Sequence, residues 1–437
     1  MGELNGTGDG GCQPSVQKGG GGSEGQYWCL ERRLWVRGAS KGVSVVKQLL
    51  EGSQAVAEAV ALCRPQVVAA YPITPQTHII ERLAQHVADG DLAAEFINAE
   101  SEFGAASIVL GAVAAGARTF TATASQGLLL MTEVLYNIAG LRLPVVMVCA
   151  NRAVGAPINI FSDHQDSMSV RDAGWIQLYV ESNQEAVDTL IQAYRIAESC
   201  GLPVMVCMDG FLLTHTFEPV ALPTQLAVDN FLPPFRFGRQ LDPARPMTLG
   251  GASEADNYQE YRIDQQCEME NALAVIEAFD AEFEEQIGRT CGGLLQPYRL
   301  AGAQTVLLGM GSMMGAVCDV VDTLRDQGLA VGALRLRCFR PFPAQALAAQ
   351  LGDVQRIIVL EKAISIGSGG IVAGEVRAAL HQAGILTPVE SVIGGLGGRD
   401  LTPQVIESLF QASPPKEAGA PFRFAPDHVE ETGGEHG

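Results

Sequence analysis

Three segments of this 437-residue chain place reactive or ligand-holding side chains where an apolar run gives way to a helical pattern. The first is Tyr71-Pro72-Ile73-Thr74-Pro75. Thr74 ahead of Pro75 reads as a helix start, with the hydroxyl capping orphan amides and proline in the first helical position. A helix amino-terminus at a strand end is also where α/β proteins hold anions, so Thr74 can equally orient a carboxylate. The second segment is Glu100-Ser101-Glu102-Phe103-Gly104-Ala105-Ala106. An acid in a first turn gains ~0.3–1 kcal/mol from the helix dipole, which by itself would account for Glu102. Gly104, Ala105 and Ala106 leave no bulk beside it, however, and the following IVLGAVAAGA is apolar on every side, which predicts a buried helix. A carboxylate at the mouth of such a helix needs a partner to offset its desolvation, and a cofactor ring nitrogen would serve. The third segment is Asn151-Arg152, ending PVVMVCAN. The arginine fork suits a carboxylate ligand in a strand-end crevice, and it suits a structural ion pair as well.

Other segments invite chemistry less strongly. Asp163-His164-Gln165-Asp166 has metal-binding residue types, but adjacent residues seldom point at one ion and a polar turn explains them. Gly309-Met310-Gly311-Ser312, between a strand pattern and a helix pattern, has the form of an anion loop or simply of a turn. The ten cysteines are scattered and no two form a CxxC pair, so local sequence offers no zinc or iron-sulphur ligand set and no metal residue is assigned. Reduced thiols that fill cores are the expectation.

The elements that must hold these segments follow one rhythm. From Gln66 short apolar runs alternate with helical patterns: QVVAAY, EFINA, RTFTATA, PVVMVCAN, IQLYVE and PVMVCMDG are each separated by a helix. That alternation predicts a parallel sheet covered on both faces. A proline-rich stretch and an acidic helical stretch follow, then a second alternating region from TVLLGMG to PVESVIGGLGG. The expected organisation is a flexible extension at 1–42, a first α/β domain at 43–245, a helical connection at 246–298, a smaller α/β domain at 299–414 and a solvated tail at 415–437. Charge narrows the functional classes. The 29 Lys and Arg against 49 Asp and Glu give a formal net charge of −20, which disfavours non-specific binding to nucleic acid or anionic membranes. Only 18% of residues are charged, which implies large cores or subunit interfaces. The longest clean apolar run, Gly104 to Ala117, falls short of the ~20 residues a bilayer requires, and no secretory signal is read, so a cytoplasmic protein is expected.

With these residues in view, the chain resembles the α subunit of the 2-oxoacid:ferredoxin oxidoreductases, most closely the pyruvate type. The motifs, in order, are YPITPQT at 71–77, ESEFGA at 100–105, TFTATASQGLLLM at 119–131, ANRAVGAPINIFSDHQD at 150–166, FRPFP at 339–343 and GGLGGRDLTP at 394–403. The resemblance implies a first domain like the pyrimidine-binding domain of thiamine diphosphate enzymes and a second like the carboxy-terminal domain of transketolase. It implies that Glu102 is the catalytic, cofactor-binding glutamate that hydrogen-bonds the aminopyrimidine of thiamine diphosphate. It also implies that Thr74 and Arg152 hold the carboxylate of a 2-oxoacid, with coenzyme A collecting the acyl group and ferredoxin or flavodoxin the electrons. Gly8-Asp9-Gly10 looks like the diphosphate and Mg2+ motif of such enzymes, but it follows no strand and lacks the later asparagine pair. The family places the diphosphate site, Mg2+ and iron-sulphur clusters on partners, so β, γ and ferredoxin-like δ subunits are implied and the cofactor is shared with the β subunit. Phe103 stands where many relatives have a small or polar residue. Branched-chain 2-oxoacids or oxalate as substrate, and a non-catalytic α/β binding subunit, are the rival readings.

Overall fold

The computed structural model describes residues 47–412 and 422–427; the expected extension at 1–42 and Gly8-Asp9-Gly10 lie outside the described residues. The chain begins with β1 (Lys47–Glu51), α1 (Gly52–Leu62), β2 (Val67–Ala70), α2 (Thr77–Asp89), β3 (Glu95–Asn98) and α3 (Glu102–Ala114). It continues with β4 (Thr119–Thr123), α4 (Ser125–Leu130), α5 (Thr132–Gly140), β5 (Val146–Asn151), α6 (Gln165–Ser169), β6 (Ile176–Tyr179), α7 (Asn183–Cys200) and β7 (Val204–Asp209). Next come β8 (Phe217–Ala221), α8 (Gln225–Phe231) and the long α9 (Ala255–Ile287). The second region comprises β9 (Leu295–Tyr298), β10 (Thr305–Gly309), α10 (Met313–Asp326), β11 (Val331–Leu336), β12 (Cys338–Arg340), α11 (Ala344–Leu351) and β13 (Arg356–Glu361). It ends with α12 (Ile371–Gln382), β14 (Val389–Ile393), α13 (Pro403–Gln411) and β15 (Arg423–Phe424).

The first large sheet has the order β12-β6-β7-β5-β4-β2-β3 and is parallel except for β12, which pairs with β6 antiparallel. The apolar strand runs arise because both faces are covered. In β5, Val146 and Val148 pack with Val56 and Val60 of α1 and Leu190 and Tyr194 of α7, while Met147 and Cys149 pack with Val109 of α3 and Leu135 of α5. The strand order reverses between β2 and β4, so the carboxyl ends of β2, β4 and β5 border the crevice where ligands bind open α/β sheets.

The second sheet has the order β15-β14-β13-β10-β11-β9, parallel except for the antiparallel edge β9. The two units share one core: Trp175, Tyr179 and Met168 of the first pack in the same cluster as Leu308, Leu336, Phe339 and Val359 of the second. They are also pinned by Arg335, fully buried in β11, whose Nη2 donates to Glu185 Oε1 at 2.9 Å in the first turn of α7.

Four sequence expectations need correction. The first strand is not at Gln66: β1 precedes it and pairs antiparallel with β8 as a separate ribbon. Its alternation is hidden because β1 is mostly exposed. The second unit contributes β12 back to the first sheet, and β9, placed in the helical connection, is an edge strand of the second sheet. The solvated tail is also interrupted. Ala425 N donates to Ile393 O at 2.8 Å, and Arg423 Nε donates to Glu390 Oε1 at 2.5 Å, so β15 closes the edge of the second sheet. Finally, α3 is not buried all round. Ala105, Ala106, Val109 and Val113 face the core, but Phe103 is 40% exposed and Ser107 and Gly111 are open, because no described residue covers that face.

Candidate active site

Thr74 sits beyond β2 and is exposed, but it is not a helix cap. The Thr74-Pro75 peptide is cis, and α2 starts at Thr77 after Gln76, whose side chain turns inward instead of capping. Gln76 Nε2 donates to Tyr71 O at 2.8 Å and Ala122 O at 3.2 Å, stitching the ends of β2 and β4 together. Pro75 lies over Gly210, where a Cβ would come within 2.6 Å of Pro75 Cγ. Those two packing demands, both from residues far along the chain, shift the helix start that the Thr-Pro pair suggested.

Glu102 is the first residue of α3, behind Ser101, whose Oγ accepts from Gly104 N at 3.1 Å as the helix cap. The residue is 7% exposed, and among the described residues no donor hydrogen-bonds to its carboxylate. Its wall is Gly127 of α4: a Cβ there would come within 2.6 Å of Glu102 Oε1 and of Thr123 Oγ1. Glycine at 127 is thus what lets a strand-to-helix turn close over the acid.

Arg152 directly follows β5 and is 8% exposed. Its Nη1 donates to Thr74 O at 2.9 Å and its Nε to Asn159 O at 3.2 Å, while Nη2 has no partner among the described residues. Burial pulls its pKa down, and the Asp166 charge nearby works the other way. The structure therefore brings Thr74 and Arg152 into direct contact through the threonine carbonyl. Glu102 joins them indirectly, through α4. There Ser125 N donates to Asp166 Oδ2 at 2.9 Å, and Arg152 N donates to the same oxygen at 3.0 Å. Asp166 Oδ1 accepts from Asn151 Nδ2 and from Ser167 N, each at 2.7 Å. Asp166 is fully buried and organises the end of β5, a role that sequence reasoning missed; Ser125, at φ +50°, carried no signal in its residue type.

The other members of the Asp163-His164-Gln165-Asp166 turn face elsewhere. Asp163 Oδ2 accepts from Gly397 N at 3.1 Å, and burial raises its pKa. His164 Nε2 lies 2.9 Å from Asp209 Oδ1, which also accepts from Lys362 Nζ and Ser162 Oγ, both at 2.8 Å. Asp209 Oδ2 accepts from Ser312 N at 2.8 Å and Ser312 Oγ at 2.5 Å. The glycine loop at 309–312 does hold an anion, and it is an internal one. Burial alone would raise the Asp209 pKa, but Lys362 and His164 hold it well below the usual carboxylate range. Glu361, at the end of β13, accepts from Val372 N at 2.8 Å and Ala373 N at 3.2 Å in α12; burial pushes its pKa up to about 7 against those donors.

Residues 58–280 match the family model "Pyruvate flavodoxin/ferredoxin oxidoreductase, thiamine diP-bdg", and 303–406 match "Pyruvate:ferredoxin oxidoreductase core domain II". The chain belongs to this oxidoreductase family. It is 49% identical over 367 residues to pyruvate synthase subunit PorA of Methanosarcina barkeri, an alignment that covers 83% of this chain and 91% of that one. It is 41% identical over 367 residues to ketoisovalerate oxidoreductase subunit VorA of Pyrococcus horikoshii, covering 84% and 93%. In fold it is similar to a 2-oxoglutarate:ferredoxin oxidoreductase from Magnetococcus marinus, with a TM-score of 0.67 and 20% identity over 84% of this chain and 65% of that one. Its family membership accounts for both α/β units, and among the described residues no helix is long and apolar enough to cross a membrane.

Proposed function

We propose that this chain is the α subunit of a pyruvate:ferredoxin oxidoreductase, which oxidatively decarboxylates pyruvate to acyl-CoA and CO2 with thiamine diphosphate and passes the electrons to ferredoxin. The observation that carries the site reading is Glu102: a buried acid with no donor among the described residues, set in a glycine-walled niche at the crevice of the sheet. A protonatable ring nitrogen would complete that niche, so the residues present fit the aminopyrimidine of thiamine diphosphate. When bound, that cofactor supplies the carbon that takes up the oxoacid and the ring that accepts the electrons of decarboxylation.

The chain's own residues hold and orient. Glu102 would keep a proton between its carboxylate and the pyrimidine nitrogen and so select the ring tautomer. Arg152 would offer its Nη2, which has no partner among the described residues, to the oxoacid carboxylate in a largely desolvated position, where a charge-assisted bond is strong. Thr74, held against Arg152 through its carbonyl, would place its exposed side chain on the same anion. Asp166 fixes the backbone of both Ser125 and Arg152, which keeps the niche and the fork in register.

Partners complete the enzyme in this reading. The relatives are named as subunits, and Tyr71, Phe103 and Leu130 present exposed apolar surface on the segments that carry the candidate site. Mg2+ and the diphosphate contacts are assigned to a β subunit, iron-sulphur clusters to a ferredoxin-like δ subunit, and a γ subunit completes a cytoplasmic complex. The VorA relatives support a second reading, with branched-chain 2-oxoacids as substrate. Anaerobic purification with native partners, followed by coenzyme A-dependent viologen reduction, separates the two. Pyruvate should exceed 3-methyl-2-oxobutanoate in kcat/KM, and the reverse order would establish the second reading.

A further inference from the structure

Away from the crevice residues already described, three segments distant in sequence converge on one spot. Glu51 ends β1, His78 lies in the first turn of α2, and His215 lies between β7 and β8. One ligand atom from each lies within 4.8 Å of the others. His78 Nδ1 is 2.8 Å from Glu51 Oε1, and the two imidazole rings are 4.9 Å apart between centroids.

The framework holding these donors is rigid. Ser53 N and Ser53 Oγ both donate to Thr214 O at 2.9 Å, and Gly52 N donates to Thr216 O at 3.1 Å, so the Glu51 and His215 segments are laced together on either side of their side chains. Gly52 is required for this lacing, because a Cβ there would come within 2.1 Å of Leu213 O. The His215 ring is stacked on Phe211 at 4.7 Å, and its Nδ1 lies 2.7 Å from Thr214 Oγ1, which leaves Nε2 to point away from that anchor. An imidazole with one nitrogen held by the protein and the other free is the arrangement of a metal-ligating histidine. Glu51 is buried, does not cap α1, and among the described residues bonds through its side chain only to His78.

We infer that Glu51, His78 and His215 form a binding site for a borderline divalent transition metal of the Zn2+ class, with a fourth position left to water. Two imidazoles and one carboxylate are a donor set for such ions and a poor one for Mg2+ or Ca2+, which take oxygen shells. A tetrahedral shell with bonds of about 2.1 Å puts donors roughly 3.4 Å apart. The Glu51–His78 pair, at 2.8 Å, must therefore open to that figure and any separation near 4.8 Å must close to it, and His78, whose side chain is 46% exposed, is the ligand free to move. The bound ion would tie the β1–α1 corner to α2 and the β7–β8 connection. Phe211 also stands 5.4 Å from the ring of Phe161, whose carbonyl accepts from Ala153 N at 3.0 Å, so the site adjoins the loop that follows Arg152.

The test is titration of Zn2+ into the full-length, chelator-treated chain, with His78→Ala, His215→Ala and Glu51→Gln in parallel and Co2+ as the spectroscopic probe. Unfolding midpoints measured in excess chelator establish that each variant is folded. The expected result is one equivalent of tightly held Zn2+, unaffected by millimolar Mg2+, with a thermal midpoint that rises on binding. Each histidine variant should bind at least tenfold more weakly and lose that rise, and the Co2+ complex should show no thiolate charge-transfer band. Absence of a bound equivalent, equal binding in the folded variants, or a thiolate band from one of the cysteines would overturn the assignment. None of these readouts uses oxoacid turnover, so failure here is distinguishable from failure of the proposed function.

Discussion

Glu102 and Asp209 are both buried acids at the crevice end of the first unit, and their surroundings are opposite. Asp209 is saturated: Lys362, His164, Ser162 and Ser312 all reach it, all four from far along the chain and two of them, Ser312 and Lys362, from the second unit. Glu102 has a cap residue before it, a glycine wall beside it and, among the described residues, no donor. Glu361 stands between them, held chiefly by backbone amides at the start of α12. A buried charge that the fold has already neutralised is architecture, whereas the proposed function reads the one left without a donor as the place for a ligand.

The contrast can be broken most severely at Glu102. In the purified complex, Glu102→Gln should lower oxoacid-dependent viologen reduction by on the order of 10²–10⁴-fold, with assembly and unfolding midpoint unchanged; near-normal turnover would remove the acid from the mechanism. Asp209→Asn should do the reverse. It leaves Lys362 buried without its counterion, and chemical denaturation should report a loss of about 3–5 kcal/mol. A variant as stable as wild type would show that the network contributes nothing. Because the Asp209 pKa is depressed in the folded chain, its contribution is present at neutral pH and is lost as pH falls below the ordinary value of about 3.9.

Glu361 has the opposite sign. Its folded pKa of about 7 exceeds the unfolded value, so the folded state binds the extra proton and stability declines as pH rises from roughly 4.5 to 7. That decline should amount to about 3 kcal/mol and should flatten in Glu361→Gln. An identical slope in the variant would assign the pH dependence to another group. The smallest effect is expected at Arg152→Lys, which keeps the charge and loses the fork. KM for the oxoacid should rise roughly tenfold or more, consistent with a charge-assisted bond of about 1.5–3 kcal/mol, with kcat less affected; an unchanged KM would place the carboxylate elsewhere.

What could be read in the sequence, and what could not, follows the same division. The buried parallel strands were legible because a sheet covered on both faces leaves continuous apolar runs such as PVVMVCAN. The strand-end positions of Glu102 and Arg152 followed from that rhythm. Local chemistry failed where distant packing decides: Thr74 does not cap α2, because Gln76 and Pro75 answer to Ala122 and Gly210. The exposed ribbon strand β1 and the short strand β15 carry no strong apolar signal. The polar turn at 163–166 read as a turn, but its residues serve four separate partners that spacing could not reveal: Gly397, Asp209, Ile364 and the end of β5. The donors at Glu51, His78 and His215 were invisible for the same reason.

The most direct measurement is coenzyme A-dependent viologen reduction by the anaerobically purified complex, wild type and Glu102→Gln side by side, across a panel of 2-oxoacids. The account predicts that pyruvate is the preferred substrate and that the variant is silent while still assembled. Turnover by the Glu102→Gln complex at the wild-type rate, or no response of the loaded wild-type complex to any 2-oxoacid, would contradict it.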